Sequence, residues 1–473
     1  MFKKDVYIER RKKLMQELDG GIALFLGNVD AAFNYPANQY HFRQDSHFLY
    51  FFAIDRAGFA GVLDIDNGKE WIFGNDFDLD DIIWMGPQPT VKEQALQVGV
   101  ENTGTLKDLY SFVHKALKAG RKVHFLPPYR GETIITLSEL LDVKPSQVKE
   151  KSSVELIKAV VKLKEIKDKY EIEEIEKAVD IAYLMHTTAM KMAKPGIKEQ
   201  EIAGTIEGIS LALGGPVSFP IILSMNGQTL HNHYHGNILE EGRMMVCDAG
   251  AETQEHYSSD LTRTTPVGGK FNSRQKEIYE IVLAANTQAI KAVEPGKMYR
   301  DVHFLAARVI VEGLKSAGLM KGDVESAVAA GAHTLFMPHG LGHMMGLDVH
   351  DMEGLGEDYV GYNETVKRAS EFGTAYLRLA KTLKSGFVLT VEPGIYFIPA
   401  LIDQFRAEKR FTDFVNYDKL ETYKDFGGIR IEDDVLVTDT GYKVLGKPVP
   451  KTVADVEKTC QEPREWLKME GFI

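Results

Sequence analysis

Cysteine is nearly absent from this chain: Cys247 and Cys460 are the only two in 473 residues. Two thiols cannot build a disulfide framework or a thiolate zinc site. Positive charge is in deficit, with 56 Lys and Arg against 68 Asp and Glu and a net charge of −12. That balance argues against a dedicated nucleic-acid or anionic-membrane binder, which needs a basic face to displace counterions. Long apolar runs are missing as well, none approaching the ~20 residues of a membrane helix. Met1 to Leu18 is charged and helix-like, without the apolar stretch and small residues of a secretory leader. The expectation is a soluble, cytoplasmic protein. What remains is a globular composition, 44% hydrophobic and 26% charged, in a chain too long for one ordinary core.

Two textures divide the chain. In the first part, Gly21-Ile-Ala-Leu-Phe-Leu26 and Phe59 to Ile65 read as buried strands, the second closed by the turn signal Asp66-Asn67-Gly68. Leu106 to Ala119 reads as a helix stopped by Gly120, and Lys122 to Leu126 as the next strand. Strands alternating with helices predict a small α/β domain. From Glu155 to Lys194 the sequence is charged, helical in period and free of glycine until Pro195-Gly196. The domain boundary is placed just before it, giving domains at residues 1–155 and 156–473.

The second part contains an internal similarity. Ala178 to Ile202 and Ile278 to Val302 align without a gap, with Ile181/Ile281, Thr187/Thr287, Ala189/Ala289, Lys191/Lys291, Pro195/Pro295 and Gly196/Gly296 identical. Convergence on a helix-Pro-Gly pattern is the bland explanation. The sharper one is two related half-domains, whose junction is a natural place for a site.

Polar residues collect at the ends of apolar runs in this same region. Asp248 follows Met244-Met-Val-Cys247, and Asp260 precedes Leu261-Thr-Arg-Thr-Thr265. A hairpin turning near Gln254 would put both carboxylates on one face, in direct opposition at ~5 Å. Two carboxylates that close repel unless a proton or cation lies between them. Either residue alone is equally read as a turn cap or a solvated side chain. His339 and His343 stand in Met337-Pro-His-Gly-Leu-Gly-His343, with His350 just beyond. Gly340 and Gly342 disfavour the helix that the zinc-protease His motif requires, and they allow close backbone approach to a ligand. Glu392 ends the apolar run Phe387 to Val391, directly before Pro393-Gly394. In Ile429-Arg-Ile-Glu432, alternation places the isoleucines on one face and Arg430 with Glu432 on the other. That pair is otherwise an exposed salt bridge. Two Asp, two Glu and one His without cysteine form a hard donor set suited to Mn²⁺, Co²⁺, Fe²⁺ or Mg²⁺, and to Zn²⁺ less distinctively. Their number suits a two-metal hydrolytic site.

At these residues the chain resembles the pita-bread metallopeptidases, in the proline-specific branch of aminopeptidase P and prolidase. The resemblance rests on Asp248-Ala-Gly-Ala-Glu252, Ser259-Asp-Leu-Thr-Arg-Thr264, His339-Gly-Leu-Gly-His343, Val391-Glu-Pro-Gly394 and Gly428-Ile-Arg-Ile-Glu-Asp433, in family order. Phe42-Arg-Gln-Asp-Ser46 and Trp84-Met-Gly86 are similar to the family's amino-terminal domain. The resemblance implies an α/β (α+β) protein, with a pita-bread catalytic domain behind a smaller α/β domain. It implies Asp248, Asp260, His343, Glu392 and Glu432 as ligands of two divalent ions, with manganese first and cobalt, iron or zinc accepted. Asp260 and Glu432 would bridge the ions, and Glu392 would also carry a proton. His231, His339 and His350 would contact substrate or oxyanion, and Arg430 would brace carboxylates. His233 and His235 are given no role. The Asp248–Asp260 interval is one residue longer than the family pattern, an insertion assigned to the turn.

The implied reaction is release of an N-terminal residue before proline. Trp84 is read as an apolar wall for substrate, reaching a neighbouring subunit in a homodimer or homotetramer, or equally as a core residue. Arg378 stands where prolidases hold a dipeptide carboxylate, and the insert between Ala400 and Phe426 is prolidase-like. The intact amino-terminal domain suits aminopeptidase P as well. Xaa-Pro aminopeptidase is therefore placed first and Xaa-Pro dipeptidase second. A metal-free binding protein of the same fold and a methionine-type aminopeptidase are the rivals.

Overall fold

A computed structural model describes residues 1–463. The chain divides into two compact units. The first holds residues 1–164 with 352–359, and the second holds 165–351 and the chain from 360 onward. Among the described residues no helix is long and apolar enough to cross a membrane.

The first unit is built on a five-stranded mixed sheet in the order Asn102–Gly104, Lys69–Phe73, Ala60–Asp64, Ile22–Leu26, Val123–His124. Leu24, Val62 and Phe73 from the sheet meet Leu109 and Val113 of helix Leu106–Lys118 and Leu140 of helix Gly131–Leu141. The strand expected over 122–126 is only Val123–His124. Trp84 is not a core residue. It sits on the short helix Leu79–Met85, none of whose residues is buried, and is 85% exposed.

The expected glycine-free helix is two helices. Val154–Lys164, which spans the boundary expected near residue 155, packs with helix Lys4–Gln16 within the first unit. Lys169–Met192 starts afresh because Asp168 accepts the N–H groups of Tyr170 and Glu171, while Glu171 accepts the Asp168 N–H.

In the second unit the repeat is physical. Helices Lys169–Met192 and Glu199–Leu213 form one pair, and Ser273–Lys291 and Tyr299–Ser316 the other. Gly196 and Gly296 turn the chain between them at φ 86° and 88°, a region where side chains clash and glycine does not. Their N–H groups donate to matched carbonyls, Leu239 at 2.8 Å and Leu383 at 2.9 Å. Each long helix rests on its own half's strands: Lys169–Met192 on Met244–Ala249 and Leu261–Pro266, Ser273–Lys291 on Val388–Val391, Gly394–Tyr396 and Gly428–Arg430. From equivalent positions, His186 Nε2 lies 2.9 Å from the Ala249 carbonyl and Asn286 donates to the Val391 carbonyl at 3.0 Å. The two halves thus anchor the backbone beside Asp248 and beside Glu392 in the same manner.

The halves join along the strand that carries Arg430 and Glu432. Glu432 donates its N–H to the Thr262 carbonyl at 3.0 Å, and Thr262 pairs with Asp248 across the first half's hairpin. This junction carries the site.

Candidate metal centre

The hairpin register differs from direct Asp–Asp opposition. Asp248 faces Thr262, so Asp260 lies two residues along, a diagonal neighbour on the same face. The turn sits at residues 254–255 and shifts the pairing by one residue at each end. The space left between the two carboxylates is closed from the other half by Glu432, whose carboxylate accepts the Thr262 hydroxyl at 2.6 Å.

Strand alternation then sorts the remaining groups. Ile429 and Ile431 are wholly buried in the core. Arg430 and Glu432 on the opposite face are also buried, 4% and 2% exposed, so they are no surface salt bridge. Glu392 follows the buried strand Val388–Val391, and its N–H donates to the Leu341 carbonyl at 2.8 Å. That bond and the one from Thr390 N–H to the His343 carbonyl, at 3.0 Å, lay the His339–His343 loop along the strand. Gly342 is required there, because a Cβ would stand 2.0 Å from the Thr390 carbonyl oxygen.

His343 lies within 3.1 Å of the Met344 carbonyl through Nδ1. That contact requires the proton on Nδ1 and leaves the Nε2 lone pair for a cation. Nε2 lies 3.3 Å from Asp260 and 3.7 Å from Glu392. Ligand atoms of Asp260, His343 and Glu432 all lie within 4.8 Å of one another. A cavity of about 210 Å³ is lined by all five expected ligands, Asp248, Asp260, His343, Glu392 and Glu432.

Negative charge here is undercompensated. Burial, then the facing carboxylates of Glu432 and Asp248, hold Asp260 well above the usual carboxylate range. Burial and Glu392 do the same to Glu432. Burial raises Glu392 to about 7 although Arg430 opposes it. One oxygen of Asp248, Oδ1, is buried without a hydrogen-bond partner. Carboxylates crowded in this way, with an orphaned oxygen and an aimed imidazole nitrogen, fit hard or borderline divalent ions.

A second cavity of about 280 Å³ adjoins the first, sharing His231, Asp248, His343, His350 and Glu392. It brings together every substrate residue expected in the second unit: His231, His339, His350, Arg378 and Arg430. Arg430 donates to Asp248 at 2.6 Å, to Thr262 at 3.1 Å and to the Tyr396 hydroxyl at 2.8 Å. Because arginine can only donate, the direction of the chain beyond it is set. Tyr396 O–H donates to His339 Nε2 at 3.0 Å, and His339 Nδ1–H donates to the Gly340 carbonyl at 2.7 Å. Burial lowers His339 to about 4, so its ring is neutral, and burial with Arg430 lowers His231. Both nitrogens of His339 are engaged, so contact with substrate requires it to give up one of these bonds.

Sequence reasoning missed Tyr396, which couples Arg430 to His339. Its signal was the alternation Glu392, Gly394, Tyr396 along one strand face. It also missed Thr262, Thr390 and Asp434, the last accepting the Asp260 N–H at 3.0 Å. His233, expected to be without a role, lines the smaller cavity, whereas His235 Nδ1 is tied to the Leu223 carbonyl at 3.0 Å.

Comparison with known proteins agrees with this geometry. Residues 7–124 match the family described as aminopeptidase P, N-terminal domain, and residues 173–439 match metallopeptidase family M24. The chain is 33% identical over 426 residues to a human Xaa-Pro dipeptidase, covering 88% of this chain and 84% of the relative. It is 32% identical over 424 residues to a probable Xaa-Pro aminopeptidase of Botryotinia fuckeliana, covering 89% and 88%. A solved structure of Escherichia coli aminopeptidase P, in a low-pH form, superimposes with a TM-score of 0.81 at 27% identity, covering 97% of this chain and 98% of that one. The fold is the expected pita-bread arrangement with its amino-terminal α/β domain. With more than half of its length matched, and the strands that carry these carboxylates inside that match, the chain belongs to metallopeptidase family M24.

Proposed function

We propose that this protein is an Xaa-Pro aminopeptidase, an exopeptidase that hydrolyses the bond between an N-terminal residue and a following proline. Two divalent ions, manganese first and cobalt, iron or zinc as substitutes, would be held by Asp248, Asp260, His343, Glu392 and Glu432. The observation that carries the reading is that these five side chains line one cavity, which adjoins a cleft lined by four histidines and two arginines. The named activities of the similar proteins support the substrate class.

When bound, the ions supply Lewis acidity and make water a competent nucleophile near neutral pH. The chain's residues do the rest. Glu392 lines both cavities, so its carboxylate can take a proton from the attacking water and return it to the leaving nitrogen. Asp248, on the border of both, holds the substrate's free amine. The imidazoles of His231 and His350 line the cleft and can offer N–H groups to the oxyanion, with His339 beside them. Arg430 keeps Asp248 in place through its donated bonds. Proline lacks an N–H and has a fixed φ, so the cleft needs room for a ring where other substrates present an amide donor. An exposed tryptophan on a helix with no buried residue suits a partner surface and supports the reading of a homodimer or homotetramer in which Trp84 borders a neighbouring copy's cleft.

A second reading, an Xaa-Pro dipeptidase, is favoured by Arg378, which lines the cleft with His231 and Glu392. Its guanidinium is suited to a dipeptide carboxylate. The deciding assay compares Xaa-Pro with Xaa-Pro-Yaa-Zaa under chelator and under added Mn²⁺. Hydrolysis of the longer peptide, lost with chelator and restored by Mn²⁺, is expected. Rates confined to the dipeptide and lowered by Arg378→Ala establish the second reading. Chelator-insensitive cleavage, or none with any divalent ion, refutes both.

A further inference from the structure

Apart from the cleft, the second unit holds a larger cavity of about 760 Å³, within the size range of small-molecule sites. It stands back to back with the cleft. Leu377 lines the large cavity, whereas its chain neighbours Tyr376 and Arg378 line the cleft. We propose that this cavity is a second binding site, for a small organic monoanion with an aromatic or branched apolar body.

The apolar part of the argument comes from the wall. Phe304 of helix Tyr299–Ser316, Phe372, Leu377 and Phe411 line the cavity. The charge part comes from an unequal count, with Arg300, Arg308, Lys367 and Arg410 against Asp301, Glu325 and Glu371. The carboxylates are already engaged. Glu325 lies 3.6 Å from Arg308, Asp301 lies 4.0 Å from Arg300, and Glu371 accepts the Ser370 N–H at 3.1 Å. Among the described residues Lys367 has no ion-pair partner. Arg410 stacks its guanidinium 3.9 Å over the Phe405 ring and 5.0 Å from that of Phe411; its Nη1 lies 4.0 Å from Glu408, beyond hydrogen-bond reach, so its N–H groups can still donate to a carboxylate or sulfonate. Lys367, the lining cation without an ion-pair partner among the described residues, selects a monoanion.

An independent observation is His333. It lines the cavity, is 1% exposed, and neither ring nitrogen has a hydrogen-bond partner. His303 behind it, ring centroids 5.9 Å away, is likewise unpartnered on both nitrogens. Burial lowers His333 to about 4 and His303 well below its usual value, so both rings are neutral. A neutral, buried N–H without a partner is costly, and an anionic oxygen in the cavity would accept it. The backbone at the rim is also committed. Lys409 and Phe411 both take left-handed φ, 55° and 54°, a conformation seldom adopted by a bulky residue outside a functional constraint.

The test uses 8-anilinonaphthalene-1-sulfonate, an aromatic monosulfonate, titrated by fluorescence into the metal-loaded full-length protein. 3-Phenylpropionate serves as the competing carboxylate. One saturable equivalent, displaced by 3-phenylpropionate, is expected. Lys367→Ala combined with Arg410→Ala weakens it about tenfold or more. Ala329→Trp, which fills the cavity, removes it, and Arg378→Ala in the cleft leaves it unchanged. Binding that is unsaturable, that survives the charge and filling variants, or that is weakened by Arg378→Ala overturns the proposal. The charge variant decides the matter if Ala329→Trp does not fold.

Discussion

Glu432 and Asp433 are consecutive, buried and acidic, yet their surroundings push them in opposite directions. Glu432 points into a space shared with Asp248, Asp260 and Glu392 and is held well above its usual pKa by burial and by the carboxylates of Glu392 and Asp248. Asp433 points the other way, 2.6 Å from Arg263 and 2.7 Å from Lys451, and these cations outweigh its burial and hold it well below. Strand alternation separates the two faces; only the partners differ. Asp433 is a closed ion cluster tying strand Asp433–Val437 to strand Leu261–Pro266 and to Lys451. Glu432 belongs to a cluster that lacks enough positive charge of its own. Burial of an acid therefore does not mark a site. Uncompensated burial of several acids facing one cavity does.

The contrast can be broken from either side. The largest effect is on turnover. Asp260→Asn should lower hydrolysis of an Xaa-Pro substrate by ~10³-fold or more, since the charge stabilisation it supports is worth several kcal/mol. Asp433→Asn should instead lower the stability of the metal-free protein by about 3–5 kcal/mol, because Arg263 and Lys451 lose their partner. Asp260→Asn should raise the melting temperature of that same metal-free form. Equal signs in the two melts would dissolve the distinction.

pH sharpens the comparison. A carboxyl whose folded pKa exceeds its unfolded one lends stability that is complete below the unfolded value and lost as pH rises through the folded one. Glu392, raised to about 7, places that window between the ordinary carboxylate range and neutrality. The metal-free protein should therefore melt roughly 5 °C lower at about pH 8 than at about pH 5. Added Mn²⁺ should shrink that gap. Asp433, depressed, acts with the opposite sign and only in acid. A melt that rises steadily across this window would contradict the assignment. Smaller again is Arg430→Lys, which cannot reproduce bonds to Asp248, Thr262 and Tyr396 at once and should cost about 10–100-fold in activity. Tyr396→Phe removes only the link to His339 and should cost roughly the worth of one hydrogen bond, 0.5–1.5 kcal/mol. KM and kcat for both variants give the order.

The carboxylates that line the cavity were legible, because each of Asp248, Glu392 and Glu432 ends or continues a short apolar run whose alternation assigns its face. The duplication was legible too, since Pro195-Gly196 and Pro295-Gly296 mark equivalent turns. Long-range register was not. Asp248 pairs with Thr262 rather than Asp260 because the turn lies one position later than symmetry about Gln254 suggests. Alternation put Tyr396 on the same face as Glu392, but its role was not legible because it depends on Arg430 reaching it across a strand pair. The break after Lys164 was missed because its cause is one capping carboxylate, Asp168, inside a helical period. The cavity behind Leu377 leaves no local trace, being assembled from segments more than a hundred residues apart.

Anomalous diffraction from crystals of the Mn²⁺-loaded protein addresses the central claim most directly. Two peaks are expected, both enclosed by Asp248, Asp260, His343, Glu392 and Glu432, with none beside Asp433. A cavity free of manganese after saturation, or manganese bound away from those five side chains, would contradict it.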